Sequence, residues 1–437
     1  MRYFIETLGC PKNHVDSDKL AGLLHERGYE RASSVRDADL VVANTCAFIE
    51  AAREESVEVV LDLAERKRPA ARLVVTGCMA ERYGDELASA LPEVDLVAGF
   101  GQNPWAAPPS STPTPVQVRR RPTSDFDLLN LPRPRTSVPW AYLKIAEGCD
   151  RRCGFCAIPT FRGDQRSRST DEVIAEARAL VDGGVRELIL IAQDLASWGH
   201  DRRRAGRGSP SEALDDGVAQ PLIALTRLLS SEVERVRLLY LYPSGLTEGL
   251  IEAIVASGVP YFDLSLQHSS RPLLRAMRRW GDGARFLERI AAIRSLAPDA
   301  TFRSSFILGY PGETEDDQRD LLAFLEAAQL DWAGFFTFSP EAETPAVSLD
   351  NPVPRELALE RLREVSELQD AITARRRDAL VGTSQRLLVD APGVARSVKE
   401  CPEIDGVVIV DRSIAVGTVF DGRIVASRGT DLEAVSA

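Results

Sequence analysis

Short apolar runs alternate with amphipathic stretches through the first hundred residues. Tyr3–Leu8, Leu40–Ala43 and Leu73–Val75 are rich in Val, Ile and Leu, and helix-like stretches such as Asp16–Arg27 and Ala51–Arg68 separate them. Strand alternating with helix predicts a small parallel α/β domain. The alternation resumes from about Trp140 to Leu368. Candidate strands there are Ala141–Ile145, Glu187–Ala192, Arg237–Tyr242, Phe262–Ser265, Phe302–Leu308 and Trp332–Phe338, while Thr170–Gly183, Leu246–Ser257, Gly283–Ala297 and Glu315–Ala328 read as helices. Six such units predict a partial parallel (β/α)6 barrel, whose loops at the strand carboxyl ends build the site. A charged helical pattern over Pro354–Ala379 then leads into β-like runs at Arg386–Val389, Gly406–Val410, Thr418–Phe420 and Arg423–Ala426. Gly and Asp punctuate them, so a small antiparallel barrel is expected.

Breaks in the pattern mark the joints. Eight prolines lie between Pro104 and Pro134, and such a stretch reads as an extended connector, with Asp125–Leu131 (DFDLLNL) able to dock on a neighbour. The expected divisions are 1–103, a linker at 104–136, a core at 137–368 and a last module at 370–437. Gly199–Gln220 is rich in Gly, Arg and Asp and reads as a mobile surface insertion without chemistry of its own.

Composition narrows the class. A chain of 437 residues is long for one core, and 44% hydrophobic with 27% charged residues describes an ordinary globular protein. The net charge of −12 argues against holding nucleic acid by bulk electrostatics, though a local basic patch is compatible with it. The amino terminus, MRYFIETLGC, lacks a signal peptide's apolar core, and no run approaches the ~18 apolar residues of a membrane span. A cytoplasmic protein with no membrane partner is expected. Six of the seven cysteines fall into two well-separated triplets, which fits metal ligation in a reducing compartment better than a disulfide framework.

The first triplet in chemical importance is Cys149, Cys153 and Cys156, spaced C-x3-C-x2-C within IAEGCDRRCGFCAIP. Three thiolates on one short loop can reach three corners of a [4Fe-4S] cube and leave the fourth iron open to a small chelating molecule. A zinc knuckle or a set of reduced thiols is the plainer reading, but zinc wants a fourth Cys or His near by. The second triplet is Cys10, Cys46 and Cys78. Each follows one of the three N-terminal apolar runs, and in a parallel sheet the strand carboxyl ends face one crevice. The three should therefore converge on a second [4Fe-4S] site, with free core thiols as the alternative. Leu264–Ser270 (LSLQHSS) is an inward-facing polar cluster at a strand end, making Gln267 and His268 catalytic candidates. His268 is either a proton-handling group or a hydrogen-bonded buried histidine. Cys401 stands apart as an ordinary free thiol.

The cysteine loop resembles the radical-SAM superfamily signature. LGCPKNHVDSD (Leu8–Asp18), NTCAFIEAAREES (Asn44–Ser56) and VVTGCMAERY (Val74–Tyr83) resemble the N-terminal domain of methylthiotransferases, and RSVKECPEIDG (Arg396–Gly406) resembles a TRAM domain. The resemblance covers essentially the whole chain. It implies an α/β fold: an N-terminal parallel Rossmann-like domain, a central partial TIM-type (β/α)6 radical-SAM barrel and a C-terminal small antiparallel TRAM β-barrel. It also implies two [4Fe-4S] clusters and S-adenosylmethionine as cofactors. One cluster would bind S-adenosylmethionine for radical cleavage, and the other would carry the sulfur to be inserted. Gln193 and Asp194 would lie near the methionine amine, and Arg303 and Gly309, within RSSFILGYPGE, against adenine and ribose. LGCPKN, NTCAFI and LQHSS are similar to the branch that modifies an aspartate β-carbon of small-subunit ribosomal protein twelve. A low-potential donor such as flavodoxin or ferredoxin is implied in turn. The tRNA-modifying branch is the runner-up, and a non-catalytic iron–sulfur factor that binds ribosomes is the third reading. TRAM modules often bind RNA, but residues 370–437 hold nine Lys and Arg against ten Asp and Glu, which leaves few cations for phosphate and makes nucleic acid a secondary partner.

Overall fold

A computed structural model describes residues 1–105, 127–131, 133–204 and 221–436. Most of the proline-rich connector and most of the Gly199–Gln220 insertion lie outside the described residues. The chain forms two compact units: Met1–Arg135 with Ala146–Asp150 and Cys156–Arg168, and Thr136–Ile145 with Arg151–Phe155 and Ser169–Ala437.

The first unit is built on β1 (Arg2–Thr7), β2 (Glu30–Arg31), β3 (Leu40–Thr45), β4 (Arg72–Gly77) and β5 (Leu96–Ala98), in the order β2-β1-β3-β4-β5 and parallel throughout. β3 is buried at every position because helices cover both faces, which is why it reads as a continuous apolar run. Val41, Ala43, Leu73 and Val75 face Val60 and Leu63 of α2 (Glu50–Arg66) and Leu87 of α3 (Cys78–Ala90). Tyr3, Leu40, Val42 and Val74 face Ala21 and Leu24 of α1 (Pro11–Glu26). That helix begins five residues before the expected Asp16. Its first turns bury Lys12, Asn13, Asp16 and Lys19, so the apolar periodicity that marks a helix is missing there. β2 and β5 are too short to leave a sequence pattern. The Leu128–Asn130 turn does dock: Leu129 is buried and its carbonyl accepts from Lys19 Nζ. Two further pieces complete this unit. The strands β7 (Ala146–Glu147) and β8 (Arg166–Ser167) pair antiparallel, and the single turn α4 (Ile158–Phe161) packs Phe161 into the same core.

In the second unit β6 (Trp140–Lys144), β9 (Glu187–Ile191) and β10 (Arg235–Leu238) form one parallel sheet. β11 (Tyr261–Gln267), β12 (Thr301–Leu308) and β13 (Trp332–Thr337) form another. A parallel bridge between Leu241 and Leu264 joins them, giving the six-strand sequence of a partial barrel. The strand expected over Arg237–Tyr242 stops at Leu238. Tyr240 takes a left-handed φ of 62°, its N–H donates to Asp263 Oδ2, and pairing survives only as that bridge. Helices α5 (Thr170–Asp182), α6 (His200–Arg204), α7 (Pro221–Glu232), α8 (Glu248–Ala256), α9 (Arg271–Ala276), α10 (Gly283–Leu296) and α11 (Glu315–Ala328) fill the crossovers. α5 starts with a capping box between Ser169 and Glu172, and Asp171 sits in its first turn.

α12 (Arg355–Asp378) leads to a closed barrel of β14 (Ser384–Ala391), β15 (Val394–Arg396), β16 (Val408–Ile409), β18 (Asp431–Ser436) and β17 (Val419–Arg428). It departs from the expected pattern in two ways. The runs Thr418–Phe420 and Arg423–Ala426 belong to one long strand, and the β16–β18 pair is parallel while the others are antiparallel. The barrel closes around Leu387, Val389, Ala395, Val408, Ile424 and Leu432. Buried charge fastens it to the barrel strands. Glu187 at the start of β9 takes Arg237 Nε at 2.7 Å and Arg396 Nη1 at 3.1 Å, while Tyr261 donates its hydroxyl to Asp405 at 2.6 Å. Among the described residues no helix is long and apolar enough to cross a membrane.

Two candidate cysteine sites

Register brings the N-terminal thiols to one level of the sheet. Thr7 of β1 pairs with Asn44 of β3, and Thr45 pairs with Gly77 of β4, so the three strands end together. Cys10 is the N-cap residue of α1, Cys46 follows β3, and Cys78 is the first residue of α3. Two of the three therefore sit at helix starts, where the backbone dipole favours a thiolate. Glycines permit the close approach. A Cβ on Gly9, at φ +89°, would lie 2.9 Å from Cys46 Sγ, and one on Gly77, at φ +91°, would lie 2.3 Å from Asn44 Oδ1. Asn13 knits the exits together. Its Nδ2 donates to the Leu8 carbonyl at 2.8 Å and the Thr45 carbonyl at 3.1 Å, and its Oδ1 is 3.7 Å from Cys78 Sγ.

Burial pushes the Cys46 thiol up to about 12, and proximity to Cys78 adds to the rise. Burial also raises Cys78, against the pull of the Arg162 guanidinium. Such thiols ionise only when something cationic binds them, and a metal centre does this. Among the described residues no group of three His, Cys, Asp or Glu side chains is gathered tightly enough for a single ion. Tetrahedral ligation at ~2.3 Å would need sulfurs within about 4 Å of one another. A four-iron cube engages each thiol through a different iron and spreads them further. Three thiols at adjacent strand ends, two of them at helix starts, are the kind of donor set such a cube takes.

Arg162 is the residue the sequence reading missed. It lies just after α4, fully buried, with Nη2 2.9 Å from Cys78 Sγ and 2.8 Å from Asn13 Oδ1. Nη1 is 2.7 Å from Glu147 Oε1 and 3.7 Å from Asp16 Oδ2, and the guanidinium lies over the Phe100 ring at 4.6 Å. Its local sequence, FRGD, looks like an exposed turn.

The C-x3-C-x2-C residues divide between the two units. In the first, Cys149 donates its amide to the Gly163 carbonyl at 3.0 Å, and Gly148 turns at φ +77° against the Asp164 carbonyl. Cys156 is half-buried there. In the second, Arg279 Nη1 donates to Cys153 Sγ at 3.5 Å, and the Arg279 and Arg151 guanidinium groups lie 4.0 and 3.8 Å from the Tyr242 ring centre. All seven cysteines are thiols without disulfide bonds, and Cys401 is wholly buried.

Most of the remaining candidates sit at strand carboxyl ends. Gln193 and Asp194 follow β9, where Asp194 Oδ2 accepts from Arg151 Nε and Ser197 Oγ, each at 2.7 Å. Gln267 ends β11 at φ 73°, and Gly309 follows β12 at φ +74° with its N–H on Glu313 Oε2. His268 is wholly buried; its Nδ1 accepts the Ser270 N–H at 2.9 Å, and burial pushes its pKa down to about 4. That shift favours the neutral imidazole, and among the described residues Nε2 has no hydrogen-bond partner. Arg303 is placed differently. It is the third residue of β12, at the amino end, and pairs with Asp263 at 3.0 Å and Asp405 at 3.6 Å. It belongs to the joint with the C-terminal barrel and is not at the strand ends where the other candidates lie.

Three family models match the chain: Uncharacterized protein family UPF0004 over residues 2–99, Radical SAM superfamily over 143–325 and TRAM domain over 381–436. The chain is 39% identical to the ribosomal protein uS12 methylthiotransferase RimO of Chloroflexus aurantiacus, covering 99% of both chains. It is 40% identical to the protein of that name from Saccharopolyspora erythraea, over 99% of this chain and 94% of the relative. The Geobacter sulfurreducens protein is 39% identical over 98% and 96%. Among solved structures, the radical S-adenosylmethionine methyltransferase TsrM of Kitasatospora setae, with cobalamin and a [4Fe-4S] cluster bound, shares the fold. The TM-score is 0.52 at 13% identity, over 95% of this chain and 83% of that one.

Proposed function

The chain belongs to the ribosomal protein uS12 methylthiotransferase RimO family of radical-SAM enzymes, and from that premise we propose that it transfers a methylthio group to the β-carbon of an aspartate in uS12. The observation that supports this most is the meeting of Cys10, Cys46 and Cys78 at three adjacent strand ends, in a chain that also carries the C-x3-C-x2-C loop. When bound, the clusters and S-adenosylmethionine supply one-electron chemistry able to take hydrogen from a carbon that no side-chain base could deprotonate.

The chain's own residues hold and shape these sites. Cys149, Cys153 and Cys156 ligate the cluster that binds S-adenosylmethionine, and Cys10, Cys46 and Cys78 ligate the second. Arg279 orients Cys153 through its N–H···S contact and is itself fixed by the Ser265 carbonyl and the Tyr242 ring. Asp194, held by Arg151, presents an anion beside the strand end where the methionine ammonium would lie, with Gln193, Gln267 and Gly309 lining neighbouring ends. His268 is enclosed at the same strand end as Gln267, and burial holds its imidazole in the neutral form. The partners are uS12, free or in the ribosome, and a low-potential electron donor, in a cytoplasmic setting. The C-terminal module, with nine Lys and Arg against ten Asp and Glu, supports a protein substrate over tRNA.

Mass spectrometry of uS12 from a deletion strain tests the reading. Loss of an adduct of about 46 Da, the CH2S increment of this radical substitution, is expected, with return on complementation. Unchanged uS12 together with loss of a methylthio-nucleoside from tRNA would replace it with the tRNA reading.

A further inference from the structure

We infer that Arg162 is a positioning residue that sets the charge balance and raises the reduction potential of the cluster held by Cys10, Cys46 and Cys78; the inference rests on the two-cluster reading above. Arg162 is enclosed, and its guanidinium fork has two distinct sides. Nη2 faces the site, touching Cys78 Sγ at 2.9 Å and Asn13 Oδ1 at 2.8 Å. Nη1 faces away, toward Glu147 Oε1 at 2.7 Å and Asp16 Oδ2 at 3.7 Å. A guanidinium taken out of water at this depth needs compensation. Two carboxylates on its far side and an aromatic face, Phe100 at 4.6 Å, supply part of it. The near side is left to meet a thiolate.

An oxidised cube held by three thiolates is anionic, and each added electron makes it more so. In a low-dielectric surrounding a cation in contact with one ligand sulfur stabilises the reduced form preferentially. A charge-assisted N–H···S bond works in the same direction. Glu147 acts oppositely, since its carboxylate draws on the same guanidinium and adds negative charge behind it. The pair is therefore a bipolar control: removing the arginine lowers the potential, and removing the carboxylate raises it. The arginine is also tied to the other triplet. The carbonyl of the next residue, Gly163, accepts the amide of Cys149 at 3.0 Å, so one dipeptide touches a ligand of each proposed cluster.

The test uses the full chain with Cys149, Cys153 and Cys156 all changed to Ala, reconstituted anaerobically so that only the N-terminal site carries iron. Dithionite-poised redox titration followed by electron paramagnetic resonance reads its midpoint potential. With about four irons bound, Arg162→Gln is expected to shift the midpoint to more negative values, Glu147→Gln to more positive ones, and Arg162→Lys to stay nearer the parent. A purely structural arginine would not move the two variants in opposite directions. Equal potentials in the parent, R162Q and E147Q would overturn the inference. If R162Q holds no iron, E147Q decides: a positive shift supports the inference and an unchanged midpoint overturns it. If the triple-Ala parent binds no iron, the two-cluster reading itself fails, and that result is distinct from an intact cluster indifferent to Arg162.

Discussion

Arg396 of the C-terminal barrel places Nη1 3.1 Å from Oε2 of Glu187, the first residue of β9, and neither side chain reaches solvent. Glu187 also takes Arg237 at 2.7 Å and lies 4.0 Å from Arg235. One carboxylate thus serves three arginines from two parts of the fold. Burial alone would raise its pKa, but the arginines overcome this and hold it down at about 2. Glu187→Gln leaves buried cations uncompensated and should cost ~3–5 kcal/mol of stability. Chemical denaturation of the two proteins measures this, and a difference below about 1 kcal/mol would contradict the assignment.

The same residue gives an acid limb. Its native pKa lies below the ordinary carboxylate value of 4.5, so the stability it contributes is complete above about 4.5 and disappears as pH falls through about 2. E187Q should flatten that limb in denaturation curves taken across the window.

His268 acts in a milder range with the reverse chemistry. Burial holds its imidazole neutral down to about 4, whereas the unfolded chain takes up the proton near 6.5. Between these values the unfolded state binds more protons, so stability rises with pH, and lowering the pH from 7 to 4.5 should cost about 2–3 kcal/mol. His268→Gln should remove this contribution. A urea-denaturation series at the two pH values checks it, and an undiminished pH dependence in the variant would refute the buried-neutral assignment.

The two cysteine triplets should separate by variant. Cys153→Ala should abolish 5′-deoxyadenosine formation under dithionite. Cys46→Ala should retain it, lose methylthio transfer and fall from about eight to about four irons per chain. Iron and nucleoside assays on reconstituted protein read both. A fully transferring C46A enzyme would remove the sulfur-site role from the N-terminal triplet.

Gly9→Ala probes the geometry without touching a ligand. The methyl would meet Cys46 Cβ at 2.8 Å and Sγ at 2.9 Å, on a backbone at φ +89° that disfavours any side chain. The variant should lose about 1–3 kcal/mol of stability and bind iron poorly at the N-terminal triplet alone. Full iron occupancy in G9A would show that Cys46 can shift without consequence.

Much of this architecture is legible along the chain because Val, Ile and Leu runs recur with helical spacers, and cysteine spacing is a chemical signal in its own right. What was missed has local physical causes. The first turns of α1 spend their inward face on Lys12, Asn13, Asp16 and Lys19, so no apolar stripe announces where the helix starts. Tyr240 breaks a strand through a left-handed backbone angle that its β-forming neighbours do not betray. Arg303 belongs to a genuine strand, but the alternation of a strand does not say which end a residue occupies relative to the site. Arg162 acquires its role only when residues 13, 78 and 147 are folded around it.

Each N-terminal thiol hangs from its own strand-to-helix exit, and pairing between the strands sets the level of those exits. The polypeptide between one sulfur and the next can therefore lengthen or shorten in its outer turns without disturbing the triangle of donors. The C-x3-C-x2-C loop has no such latitude, since one inserted residue there would re-aim a sulfur. Descendants of this chain should accumulate indels between Cys10 and Cys78 and almost none between Cys149 and Cys156.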